Sequence, residues 1–200
     1  MKVGIIQLSD IHFKDGKNLV VDYKDAFQRA CIAYLRDCLK IIIVISGDIA
    51  FSGKKKEFEI AYSFLKDFEK FIKKEGTWIN SIDYVIVPGN HDCDFSGDED
   101  IRKLVINQVS TEDELTKQSY IEQGLAPQNN FWKFYNRLIG INPLSFISYQ
   151  VEIPLLIDKK IVFHCYNTSF LSQLDEKEGS LIVPTNYYLH KDINHQNIVI

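Results

Sequence analysis

The stretch Lys40-Ile41-Ile42-Ile43-Val44-Ile45-Ser46-Gly47-Asp48 decides the fold. Its β-branched run is too short for a helix of typical length and lacks polar alternation, so it reads as a strand buried on both faces. Gly47 and Asp48 end the run where a turn must begin. Toward the N-terminus, Phe27, Ala30, Cys31, Tyr34, Leu35, Cys38 and Leu39 recur at helical spacing, with Asp22 and Asp25 as start signals. Before them, Val3–Leu8 reads as a further strand, again buried on both faces. Toward the C-terminus, Phe58, Ala61, Tyr62, Leu65, Phe68 and Ile72 mark a second helix closed by Gly76. Asp83–Val87 is then a third strand, stopped by Pro88-Gly89. The order βαβαβ with helix-length crossovers predicts parallel strands and an α/β architecture.

Beyond the third strand the pattern changes. Short helical stretches run from Asp98 to Gly140, including Phe131, Phe134, Tyr135 and Leu138, and Ser110 with Asp113 resembles a capping box. A helical insertion is expected over about residues 96–145. Val151–Ile157, the turn Asp158-Lys159-Lys160 and Ile161–Tyr166 read as a hairpin, so antiparallel pairing enters late and the sheets are mixed. Asn197-Ile198-Val199-Ile200 begins a strand with no stop signal, so residues 1–200 are expected to be the N-terminal portion of a domain that continues.

Composition narrows the function classes. The 200 residues are 46% hydrophobic and 25% charged, which excludes collagen, coiled coil and bulk disorder. Lys plus Arg number 23 against 27 Asp plus Glu, a net charge of −4 that advertises no polyanionic partner. No apolar run approaches the roughly 20 residues of a bilayer span, and the N-terminus lacks a secretory core, so no membrane segment and a cytoplasmic location are expected. Cys31, Cys38, Cys93 and Cys165 form no CxxC pair and read as reduced thiols, Cys31 and Cys38 sharing one helix face. A phosphate-binding loop at Gly47 to Gly53-Lys54 fails because one residue too many separates the glycines and Lys55 replaces the magnesium-binding hydroxyl. An EF-hand starting at Asp92 fails because its closing position falls on Lys103. Asn167-Thr168-Ser169 is a sequon only in a secreted chain.

Each early strand ends in residues of metal-ligand type: Ser9-Asp10-Ile11-His12, Gly47-Asp48, and Gly89-Asn90-His91-Asp92. In an open parallel sheet the C-terminal strand ends share one edge, so these residues converge although far apart in sequence. Asp, His and Asn together suit divalent ions that activate water and hold phosphate oxygens. Lys54, Lys55 and Lys56 follow closely and read as a solvated face, with contact to substrate phosphates as the alternative.

Asp10-x-His12, Gly47-Asp48 and Gly89-Asn90-His91-Asp92 together resemble the first three signature blocks of the calcineurin-like metallophosphoesterase superfamily, over residues 3–92. The hairpin ending Asn167-Thr168-Ser169 resembles the family's next strand. The resemblance implies a sandwich of mixed β-sheets flanked by helices, with two divalent ions: Mn2+ is favoured, with Fe, Zn, Ni or Mg as alternatives. It implies that Asp10 and His12 hold the first ion, Asp48 bridges both and Asn90 binds the second. It further implies that His91 is the acid assisting the leaving group and that Asp92 orients and charge-stabilises it. His164 reads as a core imidazole, and His190 and His195 are left unassigned. The family's later histidine blocks are expected past Ile200. The acidic residue often found after the Gly-Asp block is replaced here by the run Ile49-Ala50-Phe51-Ser52.

The implied activity is hydrolysis of a phosphate mono- or diester by hydroxide activated on the metals. Asp92, where the superfamily's protein phosphatases carry Glu, resembles the phosphodiesterase and nuclease relatives, and the net charge of −4 favours a phosphodiesterase. A DNA or RNA nuclease and a metal-binding but inactive interaction module are the alternatives. The partner is a phosphate-ester substrate, nucleotide or nucleic acid included. Nothing in the chain indicates its oligomeric state.

Overall fold

Strand β2 (Cys38–Ser46) lies between β1 (Lys2–Leu8) and β3 (Ser81–Val87), and both pairings are parallel. This computed structural model describes residues 1–97, 99–109, 117–156, 159–176, 179, 181–182 and 196–199. Ile41, Ile42, Ile43 and Ile45 are wholly buried, as a central parallel strand requires. After the single turn α1 (Leu19–Asp22), helix α2 (Lys24–Tyr34) crosses from β1 to β2, and α3 (Lys55–Glu75) crosses from β2 to β3. Phe27 of α2 meets Phe64 and Phe68 of α3 at ring-centroid distances of 6.0 and 5.0 Å. The apolar stripe of α3 is buried as its spacing predicts, and Gly76 caps its end by donating to Ile72 O at 2.8 Å.

Two sequence expectations fail here. The first helix stops at Tyr34 rather than running through Leu39, because Asp37 turns the chain at φ +67° and Cys38 opens β2 opposite Lys2. Cys31 and Cys38 therefore share no helix face: ladder pairing with β1 overrides a helical spacing that continued by coincidence. β1 is not buried on both faces either, and Ile5 is 49% exposed. It lies at the edge of its sheet among the described strands. An apolar run alone does not reveal whether both of its faces are covered.

Between β3 and the second sheet run α4 (Glu99–Gln108), α5 (Gln118–Leu125), a 3-10 turn at Ala126–Gln128 and α6 (Asn129–Ile139), closed by Gly140. α6 packs on α3, with Phe58 and Phe134 stacked at 5.4 Å. β4 (Ser148–Leu156) and β5 (Lys159–Tyr166) pair antiparallel, and β6 (Gln196–Val199) joins β5 in parallel. Mixed pairing is thus confined to the second sheet. The Tyr149 hydroxyl donates to the Ile86 carbonyl and joins the two sheets, whose buried residues form one core. Ser110, Asp113, Asp158, His190, His195 and Ile200 lie outside the described residues. Among the described residues no helix is long and apolar enough to cross a membrane.

A buried polar network ties these helices to the sheets. Gln128 is wholly buried, donates to Asn167 Oδ1 and Ser169 Oγ, and accepts from Asn167 Nδ2 at 2.7 Å. Ser169 Oγ donates in turn to Pro88 O at 3.2 Å, at the end of β3. Arg102, 2% exposed, donates to the Gln123, Phe170 and Ser172 carbonyls and so fixes the turn after β5. His164 is a core imidazole facing Gln150, as expected. Asn167 is too buried to carry a glycan, and burial pushes the Cys93 and Cys165 thiols up to about 12. The substitution Gln128→Met keeps the shape but leaves Asn167 and Ser169 short of partners. It should lower unfolding stability by about 1–3 kcal/mol, read from denaturant unfolding of both proteins.

Candidate metal centre

The loops leaving β1 and β2 are laced together by backbone bonds before any side chain contributes. His12 N donates to Asp48 O at 3.0 Å, Phe13 N to Ile49 O at 2.8 Å and Phe51 N to Phe13 O at 3.0 Å. Asp10, His12 and Asp48 have φ of +53°, +52° and +54°, left-handed backbone that costs a side-chain-bearing residue about 1–3 kcal/mol. Such conformations persist where the surroundings over-determine them, and three of them meet at one spot.

One ligand atom each from His12, Asp48 and His91 falls within 4.8 Å of the other two. Asp10 Oδ1 lies 4.0 Å from His12 Nε2, and the two imidazoles meet edge to face at 4.5 Å. Asp10, Asp48 and Asn90 also line a cavity of about 790 Å3 that reaches Thr168, Ser172 and Glu176. His12 Nδ1 is buried without a hydrogen-bond partner. Imidazole and carboxylate donors at this spacing, with one ring nitrogen unpaired and the Asn90 amide on the adjoining cavity, fit a divalent ion.

His91 is held from two sides. Its backbone N–H donates to Asp48 Oδ1 at 3.0 Å, and its Nδ1 lies 2.8 Å from the Phe51 carbonyl oxygen. A carbonyl only accepts, so Nδ1 carries the proton and, in the neutral ring, Nε2 holds the lone pair. Phe51 also sets its ring 5.8 Å from His91 and 6.1 Å from His12, with the Lys14 ammonium 3.9 Å above it.

Asp92 does not orient His91, contrary to the expectation from sequence. Its carboxylate is wholly buried and accepts from Ala50 N at 2.7 Å and Gly89 N at 2.9 Å, clamping the loop after β2 to the loop after β3. Adjacent side chains in the 3-10 turn Asn90–Asp92 diverge, so Asp92 points inward while His91 faces the cluster. Burial pushes its carboxyl up to about 7, assisted by the Asp48 charge and opposed by the bonds from Gly89, Ala50 and Ile49. Orientation of His91 comes from the Phe51 carbonyl instead.

The glycines serve by being small. A Cβ on Gly89 would lie against the Asp48 carboxylate and 2.5 Å from Asp48 N, backbone that cannot yield. Gly47 adds a φ of +97°. The three consecutive lysines are a paired face: Lys54 meets Asp94 at 2.6 Å, Lys55 meets Glu59 at 3.8 Å and Lys56 meets Asp15 at 2.7 Å. Sequence reasoning missed Ser172 and Glu176, which lie on a turn without periodicity, and the structural use of Phe51. The one available signal was the apolar residue standing where an acid was expected.

A His–Asp–His cluster at the carboxyl edge of a parallel sheet defines a metal-binding α/β protein. The calcineurin-like phosphoesterase family matches residues 3–190, and the chain belongs to that family. No curated protein matches it at the level that would establish a relative. The family binds divalent metals and gives, in general, metal-dependent phosphoesterases. In Asp92→Asn, an NH2 group replaces one of two accepting oxygens and faces a backbone donor. The variant should lose about 1–3 kcal/mol of stability and bind Mn2+ more weakly, read by denaturant unfolding and metal analysis.

Proposed function

We propose that this chain is a divalent-metal-dependent phosphodiesterase acting on a small phosphate diester. The observation that carries the reading is the convergence of His12, Asp48 and His91 within 4.8 Å, with Asp10 and Asn90 on the adjoining cavity. Asp10, His12, Asp48 and Asn90 would hold the metal. When bound, divalent ions, Mn2+ the favoured one, polarise phosphate oxygens and lower the pKa of water.

The chain's own residues do the rest. The Asp92 clamp and the laced loops hold the donors in place before substrate arrives, so little reorganisation is needed during the reaction. His91 acts in its imidazolium form, with Nδ1–H on the Phe51 carbonyl and Nε2–H toward the ester. As water bonds to phosphorus, the ester P–O bond breaks and the departing oxygen takes the Nε2 proton, leaving the neutral ring. The proton that water releases restores the imidazolium through solvent. The wall formed by Thr168, Ser172 and Glu176 carries hydroxyls and one carboxylate, which suits the uncharged remainder of a diester and repels a second phosphate. The paired state of Lys54, Lys55 and Lys56 weighs against a nuclease, which needs cations to track a backbone.

Bis-p-nitrophenyl phosphate should be hydrolysed in the presence of Mn2+, and exhaustive chelation should abolish turnover. Undiminished turnover by verified metal-free protein would refute the reading.

A second reading of His91 has its own support, because its ring lies within ligand distance of His12 and Asp48. A general acid contributes about 10²–10⁴-fold, and chiefly for poor leaving groups. His91→Ala should therefore slow esters of weakly acidic alcohols far more than p-nitrophenyl esters, with metal content retained. Loss of metal in the same variant would make His91 a ligand instead.

A further inference from the structure

A second cavity, of about 530 Å3, is bordered by His91. Asn90 lines both cavities, Asp10 and Asp48 line only the larger one, and His91 lines only this one. The Asp10 and Asp48 carboxylates thus border the larger cavity, and His91, whose ring also meets His12 and Asp48, borders this one. A phosphorus atom seated near Asn90 would present one substituent to the carboxylate side and send the opposite one past His91.

The walls of this chamber are mixed: Phe51, Phe95 and Leu174 supply its apolar part beside Ser52, Ser96 and Gln173. Phe51 and Leu174 border it at 43% and 68% exposure, large hydrophobic side chains left open to water beside a polar centre, and Phe95 joins them. Its one lysine or arginine among the described residues is Lys54, and that ammonium is bound to Asp94 at 2.6 Å. Asp94 is held in turn by Ser96 N and Oγ, so the pair is fixed and its charge balanced. The other cations nearby lie against its rings, the Lys14 ammonium 3.9 Å from the Phe51 centroid and the Arg102 guanidinium 5.5 Å from the Phe95 centroid, and Arg102 is spent on backbone carbonyls. The volume fits a ring system, since ligand pockets run about 300–1,000 Å3.

We infer that this chamber receives the departing group of the ester, and that the group is an uncharged, planar aromatic alcohol. The inference rests on the phosphodiesterase reading above for its reaction, and on the cavity for its ligand. A departing oxygen placed beside His91 takes its proton there, while the ring lies between Phe51, Phe95 and Leu174. Stacking on apolar and aromatic walls recognises such a ring whatever its edge pattern.

The test compares two diesters whose leaving groups have matched acidity, one p-nitrophenyl and one fluoroalkyl. The Mn2+-loaded protein should prefer the aryl ester by about tenfold or more in kcat/KM, the range of one stacking contact. Leu174→Asp and Phe95→Leu should each shrink that preference several-fold, chiefly through KM, with metal content unchanged. A wild-type ratio near one, or a ratio unmoved in both variants, overturns the inference. Calorimetry of the Mn2+-loaded protein with adenosine and with p-nitrophenol reads the subsite without turnover. Tighter binding of adenosine assigns it to nucleosides, tighter binding of p-nitrophenol assigns it to simple aryl alcohols, and binding of neither overturns it. If no ester is hydrolysed, the phosphodiesterase reading fails by itself, and ring binding that weakens in Leu174→Asp still upholds the subsite.

Discussion

The buried carboxylate of Asp92 accepts from Ala50 N after β2 and from Gly89 N after β3, and the geometry of the centre follows from that clamp. A carboxylate wholly removed from water is stable only where backbone donors meet it, which fixes both loops relative to each other. Asp48 and His91 ride on those loops, and the bond from His91 N to Asp48 Oδ1 closes the same ring of contacts. The β1 loop joins through His12 N and Phe13 N. Three strand ends thereby become one rigid edge, and their left-handed residues are held without freedom to relax.

Around this edge the helices between β3 and β4 serve as a brace. Gln128 and Asn167 carry the constraint from the 3-10 turn before α6 to Ser169 and Pro88, at the entrance of the loop holding Asn90 and His91. Arg102 fixes the neighbouring turn through carbonyls. Chemistry placed on loops needs such support, since loops lack a ladder of their own. The two cavities that meet at Asn90 are consequences of the same arrangement: β1 and β2 supply carboxylates to one, and the Phe51 and Phe95 segments supply rings to the other.

Much was legible from residue order alone. The Ile41–Ile45 run, the stripe from Phe58 to Ile72 and the stop at Pro88-Gly89 specify parallel strands with helical crossovers, because burial and periodicity are local properties. The same logic places Asp10, His12, Asp48, Asn90 and His91 on one edge, since parallel strands end on one side. The turn at Asp37 was illegible because Cys38 and Leu39 continue the helical spacing while pairing decides otherwise. The exposure of β1 was illegible for a related reason: an apolar strand reads the same at an edge as at a centre.

The sequence by itself determined the architecture, the edge on which the polar residues collect and the chemical type of the donors, all functions of composition along a short window. Tertiary structure alone decided the direction in which each donor points. Asp92 and His91 are neighbours in the chain, yet one turns into the core to bind two amides while the other meets His12 and Asp48. Which way a side chain faces depends on partners distant in sequence, such as Ala50 N and the Phe51 carbonyl. The same holds for Lys54, Lys55 and Lys56, which read from sequence as a solvated face and whose particular partners, Asp94 and Asp15 from distant segments and the helical neighbour Glu59, only the fold supplies.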